Sequence, residues 1–567
     1  MEDPCWIKSY PTGVRWNIEI EPMPVQQLLD DTAARWPDKP ALQFEGKRLS
    51  FAELLALSNR AAKGLQRLGV GPGVHVGLHL PNTPHHVIAF FGILKAGGTV
   101  VNYSPLDAST VLEHKIQDSC TDILFTLDSA SLYPQMAQML DTTRLKRLIV
   151  GTVVEMTDGS DSAVERVAAY GPRAEIRWDG RHLSFAQLLD NDGGFVPRAI
   201  PDPLHALAVL QYTGGTTGLP KGAMLSHANL VAAVAQLRET MQGEPPVLTE
   251  GEERILAVLP PFHIYALTVN MLFGILNAAE IIQHARFDAA AVLADIERHK
   301  VTCFPGVPTM FTALLNHPGI GRCDLTSLKF CNSGGAPLPQ EVAQRFSALT
   351  GCALIEGWGM TETTATGTYT PVRGVHKAGS CGLPLPGITI RMLDLSTPSR
   401  YVPRGDTGEI CIKGLNVTSG YWNNRSATDD MTTFDGFMRT GDVGHMDEDG
   451  YVFIVDRTKD MLLCSGYNVY PRVLEEAIYQ HPDVYEAAVV GIPDAYRGQS
   501  PKAFVVLKAG APPLALAELQ AFLKDKLGKH EMVQALEIRE ALPKTPVGKI
   551  SKKELRNEQK TAAAGLE

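Results

Sequence analysis

The sequence predicts an α/β protein of two domains: a large N-terminal domain of α/β layers with a β subdomain, and a small C-terminal α+β domain. Three observations predict it. Short apolar runs alternate with helix-period segments from Val25 to Val101, as in βα units that build a parallel sheet. From Gly379 to Tyr421 β-branched residues and turns take over, which suits a smaller β subdomain. Beyond the charged run Asp456–Asp460 a second, shorter set of strand and helix patterns begins. With 567 residues the chain is also too long for one core.

In chain order, Ala41 to Phe44 reads as a strand, Glu45-Gly46 as a turn, and Ser50-Phe51-Ala52-Glu53 as a capping box that opens a helix. Val74 to Leu80 and Val87 to Ala96 give the next strand and helix, punctuated by Gly71-Pro72-Gly73 and Gly97-Gly98. The stretch Leu42–Gly46 with Leu49–Leu55 is echoed at Ile176–Gly180 with Leu183–Leu189. One short match reads as two uses of a strand–turn–capped-helix solution rather than a duplication. Glu155 to Ile200, richer in Gly, Asp, Pro and Ser, reads as a surface excursion.

Ala206 to Leu210 is a buried strand, and Ser226-His227-Ala228-Asn229 opens a helix. Strands follow at Ile255–Leu259, Val301–Phe304, Leu328–Cys331 and Ala353–Glu356, each running into a loop with Gly or Pro. Ala266 to Ile282 is broken by Thr268, Asn270, Asn277 and Glu280. It reads as a buried core helix, since a membrane span needs about 20 mostly apolar residues. Asp456–Asp460 reads as a solvated connector. Past it come strands at Ala487–Val490 and Ala503–Leu507, an amphipathic helix around Leu516–Leu527, and a frayed tail at Asn557–Glu567.

Composition narrows the function classes. A net charge of -10 argues against nucleic acid as a partner, where a basic excess is the usual footprint. Nine scattered cysteines with no C-x-x-C pair exclude zinc-site spacing and a disulfide framework, so a reducing, cytoplasmic setting is expected. The first ten residues lack a signal peptide's basic-then-apolar order. Peripheral membrane contact, and a monomer or a homodimer, stay open.

The candidate chemistry sits after strand ends. Thr213, Gly214, Gly215, Thr216, Thr217, Gly218 and Lys221 combine backbone N–H groups freed by glycine, hydroxyl donors and a mobile cation, the makings of a polyphosphate cradle. The spacing is not that of a Walker A loop. Gly334-Gly335-Ala336-Pro337 is a small-residue loop on which a flat ligand can lie. In Gly357–Glu362, Trp358 can stack on a base beside Gly359, Thr361 can donate to a phosphate, and Glu362 can hold Mg²⁺. His263 follows a strand, where α/β sheets bind ligands, and is a candidate alongside a structural reading. Asp442, which Arg439-Thr440-Gly441-Asp442 places in a tight Gly turn, suits the two hydroxyls of a ribose.

Taken together, these stretches resemble the adenylate-forming superfamily of acyl-CoA synthetases, luciferases and adenylation domains. Residues 210–221, Gly357–Glu362, Arg439–Asp442, Asp456–Asp460 and Pro543–Lys549 match its motifs in order. The resemblance implies that Thr213 to Lys221 grip the β- and γ-phosphates of ATP and that Thr217 and Glu362 belong to the Mg²⁺ site. It places adenine between Trp358 and the Gly334–Pro337 loop, Thr361 on the α-phosphate, and the ribose on Asp442 and Arg457. Lys549 matches the mobile catalytic lysine, and Lys459 the hinge between domains 1–458 and 459–567. Ser465, Gly466 and Tyr467 fall where coenzyme A passes.

Among branches, His263–Thr268, Phe311–Asn316 and Ser465–Pro471 are similar to bacterial medium- and long-chain fatty-acid:CoA ligases. Amino-acid-activating members carry an aspartate where this chain has His263, which favours an uncharged, apolar acid. Luciferases and coumarate ligases carry lysines where this chain reads Leu463-Cys464-Ser465-Gly466. The implied activity is an ATP- and Mg²⁺-dependent acid–thiol ligase that forms an acyl adenylate and passes the acyl group to coenzyme A. An aryl or alicyclic acid, and a carrier protein as acceptor, are the alternatives. The Pro543–Lys549 loop also resembles sites of lysine acetylation, which implies an acetyltransferase acting on Lys549 as a partner.

Overall fold

Two large sheets carry the N-terminal domain in the computed structural model, which describes residues 4–168, 171–213, 219–465, 467–494, 496–545 and 550–564. Among the described residues the first sheet has seven strands, in the order His182–Ser184, Arg147–Gly151, Ile123–Leu127, His75–Leu78, Thr99–Asn102, Leu207–Tyr212 and Gly222–Ser226. Its pairs are parallel except the last. The second has nine. Its middle is parallel, from Ala353–Trp358 through Phe330–Ser333, Cys303–Gly306, Arg254–Ala257 and Glu280–Gln283 to Pro40–Phe44. Antiparallel strands close both of its edges.

Helix Pro84–Ala96 is apolar almost all round and buried along its whole length. It packs so tightly on Phe51–Arg67 that a Cβ at Gly92 would stand 2.6 Å from that of Ala61. A four-stranded antiparallel sheet, Thr389–Leu393, Gly408–Lys413, Met438–Met446 and Val452–Arg457, forms the β subdomain. The small C-terminal domain has a sheet of its own and a separate core around Leu474, Ile478, Val489, Val505, Leu519 and Leu523.

Local chemistry explains most element starts. Ser50 accepts from Glu53 N–H while Glu53 accepts from Ser50 N–H, and Ser226 with Asn229 does the same at helix His227–Thr240. The echo at 176–189 is half real. Ser184 and Gln187 cap helix Phe185–Leu189, but no strand forms at 176–178.

Four expectations are corrected, and one strand is added. Glu155 to Ile200 holds helix Asp161–Ala168 and the edge strand His182–Ser184 rather than a bare surface excursion. Gly222–Ser226 is a strand with no sequence cue beyond its apolar residues. Ala266–Ile282 is not one helix. A π-helix, Ala266–Leu272, passes into Phe273–Leu276, and the chain turns at Ala278, with φ +50°, into strand Glu280–Gln283. The polar interruption is the cause, because Asn277 Nδ2 donates to Phe273 O and ends the helix. Asp456 is no solvated connector: it lies in the last subdomain strand, 5% exposed, and its carboxylate accepts from the N–H groups of Arg457 and Arg472. The tail forms helix Lys552–Ala564, anchored by buried Leu555.

The two domains also meet through charge. Arg472, at the start of helix Pro471–Tyr479, lies 3.9 Å from Glu356 on the strand that leads to Trp358. Burial pushes the Glu356 carboxyl up from 4.5 to about 7, with the Arg472 guanidinium opposing and Glu476 adding to the rise. A carboxyl raised in the folded chain holds an extra proton there between the two values. Its contribution to stability is therefore full below about 4.5 and is lost as pH rises through about 7. Glu356→Gln should gain on the wild type by up to about 3 kcal/mol between pH 5 and 8, read from thermal melts of both proteins. Parallel pH profiles would contradict this.

Candidate functional site

The parallel strands of both sheets deliver their loops to one crevice, the position in which open α/β sheets bind ligands. From the first sheet, Leu207–Tyr212 runs into the threonine- and glycine-rich loop. Its two ends are tied by Thr213 N–H donating to Lys221 O at 2.9 Å. Gly214, Gly215, Thr216, Thr217 and Gly218 lie outside the described residues. From the second sheet come the Gly334–Pro337 loop, the Trp358–Glu362 segment and Phe262-His263.

The strand Ala353–Trp358 runs two residues beyond its expected end and brings Trp358 into the crevice half-buried. A Cβ at Gly367 would sit 2.8 Å from the indole, so glycine is what lets the chain cover one face of the ring. Trp358 Nε1 donates to Asp442 Oδ2 at 2.8 Å, and Arg457 Nε reaches Asp442 Oδ1 at 3.0 Å. Asp442 is 3% exposed, and its charge raises the Arg457 guanidinium further above its ordinary value. Three residues that the sequence marks separately thus form one unit. Asp442 stands within the strand Met438–Met446, opposite Arg457, rather than at a turn. The motif's Gly441, at φ +72°, and the register shift after Val443 supply the local distortion.

The loop at 334–337 owes its path to Tyr265. A Cβ at Gly334 would stand 2.9 Å from that ring, and Gly335 has φ +78°. Tyr265 Oη donates to Asn332 O at 3.2 Å, which links the apolar stretch after His263 to the candidate adenine slot. His263 is half-buried, and its Nδ1 accepts from Tyr265 N–H at 3.3 Å. Behind it the π-helix Ala266–Leu272 is buried throughout, and π-bulges often mark functional sites.

Glu362 is 6% exposed, follows Thr361 on a single 3₁₀ turn, and accepts from the phenol of Tyr421 at 2.6 Å. Among the described residues no group of three His, Cys, Asp or Glu side chains is placed to hold a metal. A divalent ion at Glu362 would therefore take its other ligands from phosphate oxygens and water, the usual arrangement for Mg²⁺. Sequence reasoning missed Tyr421 and Tyr265 as site residues; the only signal was their place beside glycine in Gly420-Tyr421 and within the apolar stretch.

In the small domain, Lys549 and Gly466 lie outside the described residues. Ser465, at φ +53°, donates its N–H to Arg497 O, and exposed Tyr467 stands 5.1 Å from the His530 ring. At Lys459 burial pushes the ammonium below its ordinary value. Arg556 of the last helix pairs with neighbouring Asp460 and reaches Lys459 O.

The family model for AMP-binding enzymes matches residues 29–422, and its C-terminal domain matches 473–549. The chain belongs to the AMP-binding enzyme family. A long-chain-fatty-acid–CoA ligase of Bacillus subtilis (strain 168) is 38% identical over 559 residues, covering 98% of each chain. The ATP-bound crystal structure of MatB from Rhodopseudomonas palustris matches with a TM-score of 0.80 and 29% identity over 95% of this chain and 99% of that one. An anthranilate CoA ligase with anthranoyl-AMP matches at 0.83 and 26%, over 97% and 98%. No described helix is long and apolar enough to cross a membrane.

Trp358→Phe keeps an aromatic ring but removes the donor to Asp442. The loss of a hydrogen bond to a carboxylate should weaken ATP binding about tenfold in calorimetric titration. An unchanged affinity would separate Trp358 from the nucleotide site.

Proposed function

We propose that this AMP-binding enzyme joins a medium- or long-chain fatty acid to coenzyme A at the expense of ATP, by way of an acyl adenylate. The observation that carries the reading is the joining of Trp358, Asp442 and Arg457 beside Glu362, with a wholly buried, mostly apolar helix behind His263. Adenine stacks on Trp358 against Gly334–Pro337, and Asp442 with Arg457 takes the ribose. Thr361 donates to the α-phosphate, while Thr213 to Lys221 grip the outer phosphates. His263 stands at the mouth of the acid's apolar site.

Attack of a carboxylate on the α-phosphorus brings two anions together, so charge neutralisation is the largest catalytic term. Mg²⁺, when bound at Glu362 and Thr217, spreads the phosphate charge. Lys549 bridges the carboxylate and the α-phosphate, delivered by the domain that turns about Lys459. Its withdrawal opens a path past Ser465, Gly466 and Tyr467 for the thiol, which displaces AMP. The enzyme works in the cytoplasm as a monomer or homodimer, or at a membrane surface where its acid partitions.

A ring acid is the second reading, favoured by the fold shared with the anthranilate ligase. A panel of acids with Mg-ATP and CoA decides: thioester from decanoate or palmitate, and far less from benzoate or anthranilate, is expected, and the reverse order would overturn the fatty-acid reading. Acetylation of Lys549 by an acetyltransferase should abolish adenylation yet spare thioester formation from supplied acyl adenylate, because only the first step needs that charge. Equal loss of both steps would contradict the role given to Lys549.

A further inference from the structure

Tyr421 touches both charged groups of the phosphate side and belongs to neither of their strands. Its hydroxyl donates to Glu362 Oε1 at 2.6 Å, and Lys221 Nζ sits 5.0 Å from the centroid of its ring. Among the described residues no second donor reaches the Glu362 carboxylate, which leaves Oε2 for another ligand.

The backbone here is built to hold that ring still. Gly420 O accepts from Met224 N–H at 2.9 Å and Trp422 N–H donates to Gly222 O at 2.7 Å. The segment thus pairs with the strand that leaves the phosphate loop, with a bridge between Ala223 and Tyr421. Thr418 N–H donates to Glu362 O at 2.8 Å, Tyr421 N–H donates to Thr428 Oγ1 at 3.0 Å, and Trp422 Nε1 donates to Asp118 O at 2.9 Å. Gly420 has φ +143°, and a Cβ there would meet the Thr428 methyl at 2.4 Å, so the turn into Tyr421 admits only glycine.

We propose that Tyr421 is a positioning residue of the metal and phosphate site, its hydroxyl orienting Glu362 toward the divalent ion and its ring fixing Lys221 against the nucleotide. The proposal rests on the reading of Glu362 as the metal carboxylate and Lys221 as a phosphate contact. A hydroxyl that pins one carboxylate oxygen leaves the other in a single orientation, and such outer partners tune metal affinity. A cation over a phenol ring is held near the anion it must meet at little cost in side-chain freedom. The two roles reside in different atoms of one side chain, so they separate by substitution.

The test uses the full-length protein without acid or CoA, with Mn²⁺ as the metal probe read by electron paramagnetic resonance and ATP binding read by calorimetry. Tyr421→Phe should weaken Mn²⁺ binding to the ATP complex about tenfold, with ATP affinity in EDTA unchanged. Tyr421→Leu should lose that ATP affinity as well, by about fivefold, through the cation–π contact. Thermal melts of both variants should stay close to the wild type. Glu362→Gln separates the two layers. If it leaves Mn²⁺ binding intact, the metal reading of Glu362 fails and this proposal with it. If it weakens binding while Tyr421→Phe does not, Tyr421 alone is overturned. Equal losses of metal and metal-free ATP binding in Tyr421→Phe, with a lowered melting temperature, would make Tyr421 structural and contradict the proposal.

Discussion

Two buried amides, Asn82 and Gln211, hold the carboxyl ends of the two large sheets against each other, and the crevice depends on them. Asn82 Nδ2 donates to Ala257 O and His284 O, while its Oδ1 accepts from Gln283 Nε2. Gln211 Nε2 donates to Phe262 O at 2.8 Å, and its Oε1 accepts from Asn102, itself beside His86. Both amides are less than 5% exposed. Apolar packing is non-directional and would let the sheets slide. A buried amide that loses its partner costs about 1–3 kcal/mol, so these contacts select one register.

The β subdomain completes the enclosure by lending single residues to the other layers. Asp442 takes the Trp358 indole and the Arg457 guanidinium on separate oxygens, so a strand of the second sheet and two of the subdomain share one carboxylate. Tyr421, from the segment just ahead of helix Arg425–Asp430, reaches Glu362. Charged and polar groups converge there, and the surrounding packing prevents them from relaxing toward water. Such preorganisation is what makes fixed charges effective in catalysis. The small domain keeps its own core, and among its contacts with the rest is the ion pair of Arg472 with Glu356. Interfaces of that kind permit relative motion of domains.

Much of this was legible in the residues. Capping boxes at Ser50 and Ser226, strand ends marked by Gly and Pro, and the clustered hydroxyl, carboxylate and aromatic groups at Trp358–Glu362 report local chemistry, which the sequence carries directly. What stayed hidden is non-local. Tyr421 stands 59 positions from the carboxylate it touches. Asp456 looks solvated in a charged run, and only the packing of Arg472 reveals that it is buried. The apolar stretch to Ile282 has a helical look that Asn277 interrupts by donating to Phe273 O four residues back. Gly222–Ser226 becomes a strand because Leu207–Tyr212 offers it an edge.

An acid carboxylate activated at the α-phosphorus of ATP and then delivered to a thiol must leave a fixed set of products. Product stoichiometry tests it most directly. Purified enzyme turning over palmitate, Mg-ATP and CoA should release one pyrophosphate and one AMP for each thioester formed. Release of ADP and phosphate, or of AMP without thioester, would contradict it.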